Sequence, residues 1–256
     1  MFKKKYVSIF FLLPIICVYR FDLFLYAEPM DERIGEVFLM HFFGGSYKMD
    51  ELDMTVSVLG LIGIVFLDLL FSDYIAQDIR VNSEYIFSRY SNRLVWYVKK
   101  LKGVMAYSVL GIILYMLPYA CNAQMTATQR IGSQDIQILL CTFLMLSLFL
   151  YCSILVINLF SIRFGNSIGF LITYTILIVS TILTMNLQKI HSGQPIVMLI
   201  HRLNPMSNIL VSWNFNDIYV KWGIGYYLGL GVLLSLIGWI KLRKIEIGIR
   251  MRTDVS

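Results

Sequence analysis

The residues Gly165-Asn166-Ser167-Ile168-Gly169 spell Gly-x-Ser-x-Gly, the pattern that holds a serine nucleophile on a tight strand-to-helix turn. Such a serine needs a histidine within hydrogen-bond reach to accept its proton. The histidines are His41, His191 and His201. Ser167 opens a long apolar stretch, and His191 lies 24 residues on, past its far end. As a helix that separation is about 36 Å, so the triad cannot close. The same pentapeptide sets Gly165 and Gly169 four apart, as Gly225 and Gly229 are. That spacing lets membrane helices approach closely, and packing accounts for it better than catalysis.

Asp68 is the second residue that invites chemistry, because it is the only charge well inside an apolar stretch from residue 54 onward. An acid at the centre of a membrane helix costs about 2.5–3.5 kcal/mol, and less near an edge. Asp68 sits about a turn from the end of its stretch. A hydrogen-bonding partner, or water at the interface, explains it more simply than a proton pathway. Asn158 and Asn186 are candidates for hydrogen bonds between helices. Cys17, Cys121, Cys141 and Cys152 have no metal-like spacing and fit small packing residues, with a Cys121–Cys141 bridge left open. There is no GxxxxGK[ST] phosphate loop and no HExxH. The expectation is a chain with no catalytic, cofactor-binding or metal-binding residue of its own.

The elements that must position these residues are apolar stretches at 6–19, 54–71, 104–120, 136–160, 168–187 and 222–240. A bilayer core about 30 Å thick needs about 20 apolar residues to be crossed as a helix. The last four stretches hold no charged residue. Mean hydropathy is +0.70. Charged residues make up 15% of the chain, well below the roughly 25% of a soluble domain. The fold expected is all-α, a single transmembrane domain over 1–256. Its six spans fall at about 6–26, 54–73, 104–121, 136–160, 166–187 and 222–240.

Charge placement orients these spans. With the N-terminus inside, the cytoplasmic side receives Lys3, Lys4, Lys5, the basic residues from Arg80 to Lys102, Arg163 and those from Lys241 to Arg252. The outer segments receive most of the acids, concentrated between Asp22 and Asp53. This is the positive-inside pattern, and it puts both termini in the cytoplasm of a cell-membrane protein. The net charge of +6 then belongs to anionic lipid or a cytosolic partner and not to nucleic acid. Lys3–Lys5 before an apolar run resemble a secretory signal, but Leu25 and Ala27 do not make its cleavage site. The first helix is read as uncleaved, kinked near Pro14, with Arg20 snorkelling outward.

The connections are unequal. The one between the fourth and fifth spans is a few residues around 161–165, whereas the cytoplasmic loop 72–103 is long. Within EYIFSRYSNRLVWYVKKLKG, Ile86, Tyr90, Leu94, Tyr97, Leu101 and Val104 recur at spacings of 4, 4, 3, 4 and 3, one face of a helix. Arg89, Asn92, Arg93, Lys99 and Lys100 fall mostly on its other faces, so a basic amphipathic helix runs into the third span. It either binds anionic lipid or docks a cytosolic protein. The outer segment 188–221 carries the stripe Ile196, Leu199, Ile200 and Leu203 ahead of Asn204-Pro205. External helices in or dipping into the outer leaflet are expected there.

This layout resembles the permeases of ATP-binding-cassette exporters of the small six-helix class. The local likeness is in Glu84, Ile86-Phe87, Arg89-Tyr90-Ser91-Asn92-Arg93 and the helix 94–101, followed by Leu203-Asn204-Pro205-Met206-Ser207 before the last span. Asp68, Arg20 and Asp22 have no counterpart in that pattern. The resemblance implies a coupling helix in 72–103, with Glu84, Arg89, Tyr90, Ser91, Asn92 and Arg93 facing a separate ATPase subunit. It implies two ATPase copies, a second or homologous permease and surrounding membrane lipid. ATP hydrolysis would occur only in the partner. Substrates of the class include peptides, lipids, polysaccharide intermediates and drugs, and self-protection against bacteriocins is common among bacterial members. The other reading is a non-transporting accessory or immunity membrane protein.

Overall fold

The computed structural model describes residues 34–35, 54–81, 92–126, 131–189, 195–209 and 217–244. Its elements, all helical, are α1 (Met54–Phe71), α2 (Ala76–Val81), α3 (Arg93–Thr126), α4 (Ser133–Phe164), α5 (Asn166–Lys189), α6 (Pro195–Leu203), α7 (Pro205–Ile209) and α8 (Asp217–Lys244). Among the described residues four helical segments are long and apolar enough to cross a membrane: Arg93–Cys121, Ser133–Phe164, Asn166–Thr184 and Lys221–Lys244. The chain is a polytopic α-helical membrane protein. The apolar 18-residue α1 stands where the second span is expected, and the first expected span, 6–26, lies outside the described residues.

The organising helix is α4. Its apolar window is 67% buried, against 22–39% for the other three, so it runs through the centre of the bundle. It packs against α5, α8, α3, α2 and α1. Its buried face mixes Leu146, Leu150, Ile154 and Ile157 with Ser147, Ser153, Asn158 and Ser161. Small polar residues suit a membrane interior, where packing and interhelical hydrogen bonds must hold helices together without much hydrophobic drive. The flanking helices point large apolar side chains outward, among them Leu110, Leu117, Leu171, Val179 and Val232.

A sharp corner joins α4 to α5. Gly165 has φ +95 and donates its N–H to Ser161 O at 3.0 Å, a backbone state that favours glycine. Gly169 lies against α4 so closely that a Cβ there would strike Ser161 and the Ile157 carbonyl. Of the pair expected to allow close packing, Gly169 does so within the chain and Gly165 makes the corner. Gly225 and Gly229 have open space around them, so the packing expected at that pair is not made here. They face away from the bundle.

Ile86 and Tyr90 lie outside the described residues, and from Arg93 onward the expected amphipathic segment and the third span form one continuous helix, the 34-residue α3. Asn92 caps it, accepting the Leu94 N–H on Oδ1 at 2.9 Å. Of the expected apolar face Tyr97 and Val104 are buried, but Leu94 is 42% exposed and Trp96, off that face, is buried instead. Neighbours set this face. Tyr97 donates its hydroxyl to Ser235 O on α8 at 3.1 Å and stacks on Trp239. Trp96 belongs to the buried core, and Lys100 reaches Asp78 and the Tyr74 carbonyl.

At the opposite end, α6 leaves Ile196, Leu199 and Leu203 exposed and buries Val197, a short amphipathic helix with its apolar stripe facing away from the protein. Helix α7 does the reverse and buries Met206, Ser207, Asn208 and Ile209. Buried Asp135 secures the start of α4, accepting the Gly132 N–H at 2.7 Å and the Gly35 N–H at 3.0 Å.

Candidate functional site

A polar seam runs between α1, α4 and α5 at the end of the bundle that carries α2. Asp68 on α1 is fully buried. Ser153 of α4 donates its hydroxyl to Asp68 Oδ1 at 2.7 Å, and Tyr174 of α5 donates to Oδ2 at 2.7 Å. One carboxylate thus joins three helices, the structural partner that its buried position requires. Just past the end of α1, Ser72 accepts from Asn166 Nδ2 at 3.4 Å, and Asn166 Oδ1 accepts from Ser161 at 3.1 Å.

The seam ends on Asn158. Its Oδ1 accepts the N–H groups of both Ile75 and Ala76 at 2.9 Å, and its Nδ2 donates to Ile154 O at 2.8 Å. A side chain on α4 therefore satisfies the first amides of α2, which would otherwise lack acceptors. Helix α2 is held on its other side by Lys100 of α3, whose Nζ lies 2.6 Å from Asp78 Oδ2. The same ammonium donates to Tyr74 O at 3.4 Å and sits 3.9 Å from the Tyr74 ring centroid. Tyr74 packs edge-on to Tyr107, which stacks on Phe71. Burial, then neighbouring Tyr107 and Asp78, push the Tyr74 phenol above its ordinary range and keep it neutral.

Of the residues expected to meet an ATPase, Glu84, Arg89, Tyr90 and Ser91 lie outside the described residues. Asn92 and Arg93 open α3, and Asn92 is exposed. At the far end, Asn204 is a hub. It donates through Nδ2 to Ser180 O at 2.8 Å and to Thr184 at 2.9 Å, and its Oδ1 accepts the Met206 N–H at 2.9 Å. Pro205 starts α7, and its carbonyl accepts the Tyr227 hydroxyl of α8. Asn204-Pro205 thus fastens the last short helix to both α5 and α8.

Ser167 is exposed beside the α4–α5 corner. His201 is in α6 at the other end of α5, and His41 and His191 lie outside the described residues. Asn186 is exposed on α5. Cys152 is buried and Cys121 exposed, and among the described residues no disulfide forms. Among the described residues no group of His, Cys, Asp and Glu has a metal-holding arrangement.

Asn158 was singled out in the sequence as a hydrogen-bonding candidate, and its partners Ile75 and Ala76 were not; the Lys100–Asp78 pair, Tyr174 and Ser153 were missed. These contacts define a multi-span α-helical membrane protein with buried polar junctions at both ends of its central bundle. No protein-family model, curated protein or solved structure matches the chain.

Proposed function

We propose that this chain is the membrane-spanning permease subunit of an ATP-binding-cassette transporter. It forms part of the path for an exported peptide, lipid or drug-like amphiphile. In this proposal six helices span the membrane, both termini are cytoplasmic, and the protein resides in the cell membrane. The chain hydrolyses nothing itself; two copies of an ATPase subunit and a second permease complete the assembly.

One observation carries the proposal. Helix α3 begins in the basic loop and continues without a break into the membrane, while α2 from the same loop is fixed to α3 by Lys100 and to central α4 by Asn158. A subunit pressing on loop 72–103 would therefore move spanning helices rather than a slack tether. The direct test is Arg89→Glu combined with Arg93→Glu. The double variant is expected to remain inserted and abundant while losing co-purification with an ATPase, or losing substrate-stimulated hydrolysis. Unchanged association together with unchanged coupled hydrolysis removes this docking site. If the wild-type chain has no ATPase companion, the proposal gives way to a non-transporting membrane protein.

A further inference from the structure

Two lysines on α3 lie apart from the contacts so far assigned. Lys100 turns inward to Asp78, but Lys99 and Lys102 are exposed, and among the described residues no ion pair reaches either. At about 100° per residue, Val95, Lys99, Lys102, Leu110, Ile113 and Leu117 fall in one lane of the helix about 80° wide. All six are exposed. The lane is apolar through its upper part and carries positive charge only near its lower end. Thr126, the last residue of α3, lies 24 residues beyond Lys102, or about 36 Å. That exceeds a hydrocarbon core of about 30 Å by a small margin, so the lysines stand at headgroup level when the apolar lane stands in acyl chains.

We infer that this lane is the seat of an anionic phospholipid, with Lys99 and Lys102 taking the headgroup and Leu110, Ile113 and Leu117 lying along an acyl chain. Charge complementarity chooses the headgroup: two ammonium groups less than a turn apart favour a phosphodiester with net negative charge over a zwitterion. Continuity of the lane with the apolar exposed surface chooses a diacyl lipid over free phosphate, which has no use for the apolar part. Long stems suit lysine to this position, because they lie along apolar surface while the ammonium reaches the interface. The inference does not depend on the permease proposal. At about 100° per residue Arg93 lies on a different face of α3 from this lane.

The experiment uses the purified full-length chain in neutral detergent, titrated with labelled phosphatidylglycerol and, separately, phosphatidylcholine. Retention is read by native mass spectrometry. Wild-type protein should hold phosphatidylglycerol in preference to phosphatidylcholine, and inorganic phosphate should not displace it. Lys99→Gln with Lys102→Gln should weaken phosphatidylglycerol by roughly fivefold per lysine, while Lys99→Arg with Lys102→Arg should retain it. Lys221→Gln, on a different helix, should leave it unchanged. Equal retention of the two lipids by wild type, or equal phosphatidylglycerol binding by wild type and the glutamine variant, overturns the inference. So does a glutamine variant that keeps its lipid but loses a protein partner, because the lane would then be a protein-docking face. Failure of the arginine variant to bind would mean that charge is not what holds the lipid.

Discussion

Asp68 shows most directly how one residue can organise a membrane interior. Its two oxygens are the acceptors for Ser153 and Tyr174, so Asp68→Ala takes the acceptor from Tyr174 and one of two from Ser153, which also reaches Leu150 O at 2.9 Å. Each buried polar group left unsatisfied costs about 1–3 kcal/mol. The expected result is a clear fall in apparent Tm in detergent, larger than for Asp68→Asn, which retains an oxygen acceptor. Equal melting of the two variants would show that the hydroxyls find other partners. Glycine gives a second test at this scale. Gly169→Leu should disrupt the α4–α5 contact, because even a Cβ meets Ser161 and Ile157, whereas Ser167→Ala should preserve fold and activity. Four-residue glycine spacing was legible in the sequence at both 165–169 and 225–229. Which pair packs was not, because that depends on what a distant helix places opposite it.

At the scale of elements, α2 is a six-residue helix too short to be stable alone and is held by its neighbours. Asn158→Leu removes the acceptor shared by Ile75 and Ala76. Hydrogen exchange at those two amides should accelerate, and Asn158→Asp should largely protect them because a carboxylate still accepts at a helix N-terminus. Unaltered exchange in the leucine variant would mean that α2 is held by other contacts. Lys100 and Asp78, both mostly buried, should show a double-mutant coupling of about 1 kcal/mol. The periodicity of 86–104 predicts a helix running into the membrane, and from Arg93 onward α3 follows it. Tyr97 and Val104 were legible on its apolar face and are buried, whereas the burial of Trp96 and the exposure of Leu94 were not legible, because they depend on which distant helices stand beside them. Likewise the stripe on α6 was readable, whereas the burial of α7 rests on Asn204 meeting Ser180 and Thr184.

For the whole molecule, the central position of α4 follows from a stretch with no charge between Asp135 and Arg163 and with small hydroxyls on its buried side. The order of packing around it comes from side-chain pairs that no local pattern announces. The membrane class was plain from the length and hydropathy of the stretches, and partner and cargo were not, because neither leaves a periodic trace. The central claim is that loop 72–103 faces the cytoplasm and receives an ATPase. A photo-crosslinking residue at position 91, compared with one at position 98 on exposed α3, tests it in intact membranes. Position 91 should cross-link an ATP-hydrolysing subunit, and position 98 should give little or none. A reporter fused after Lys102 should read cytoplasmic in the same cells. An external reporter, or no ATPase cross-linked at position 91 in cells where the protein is active, would contradict the account.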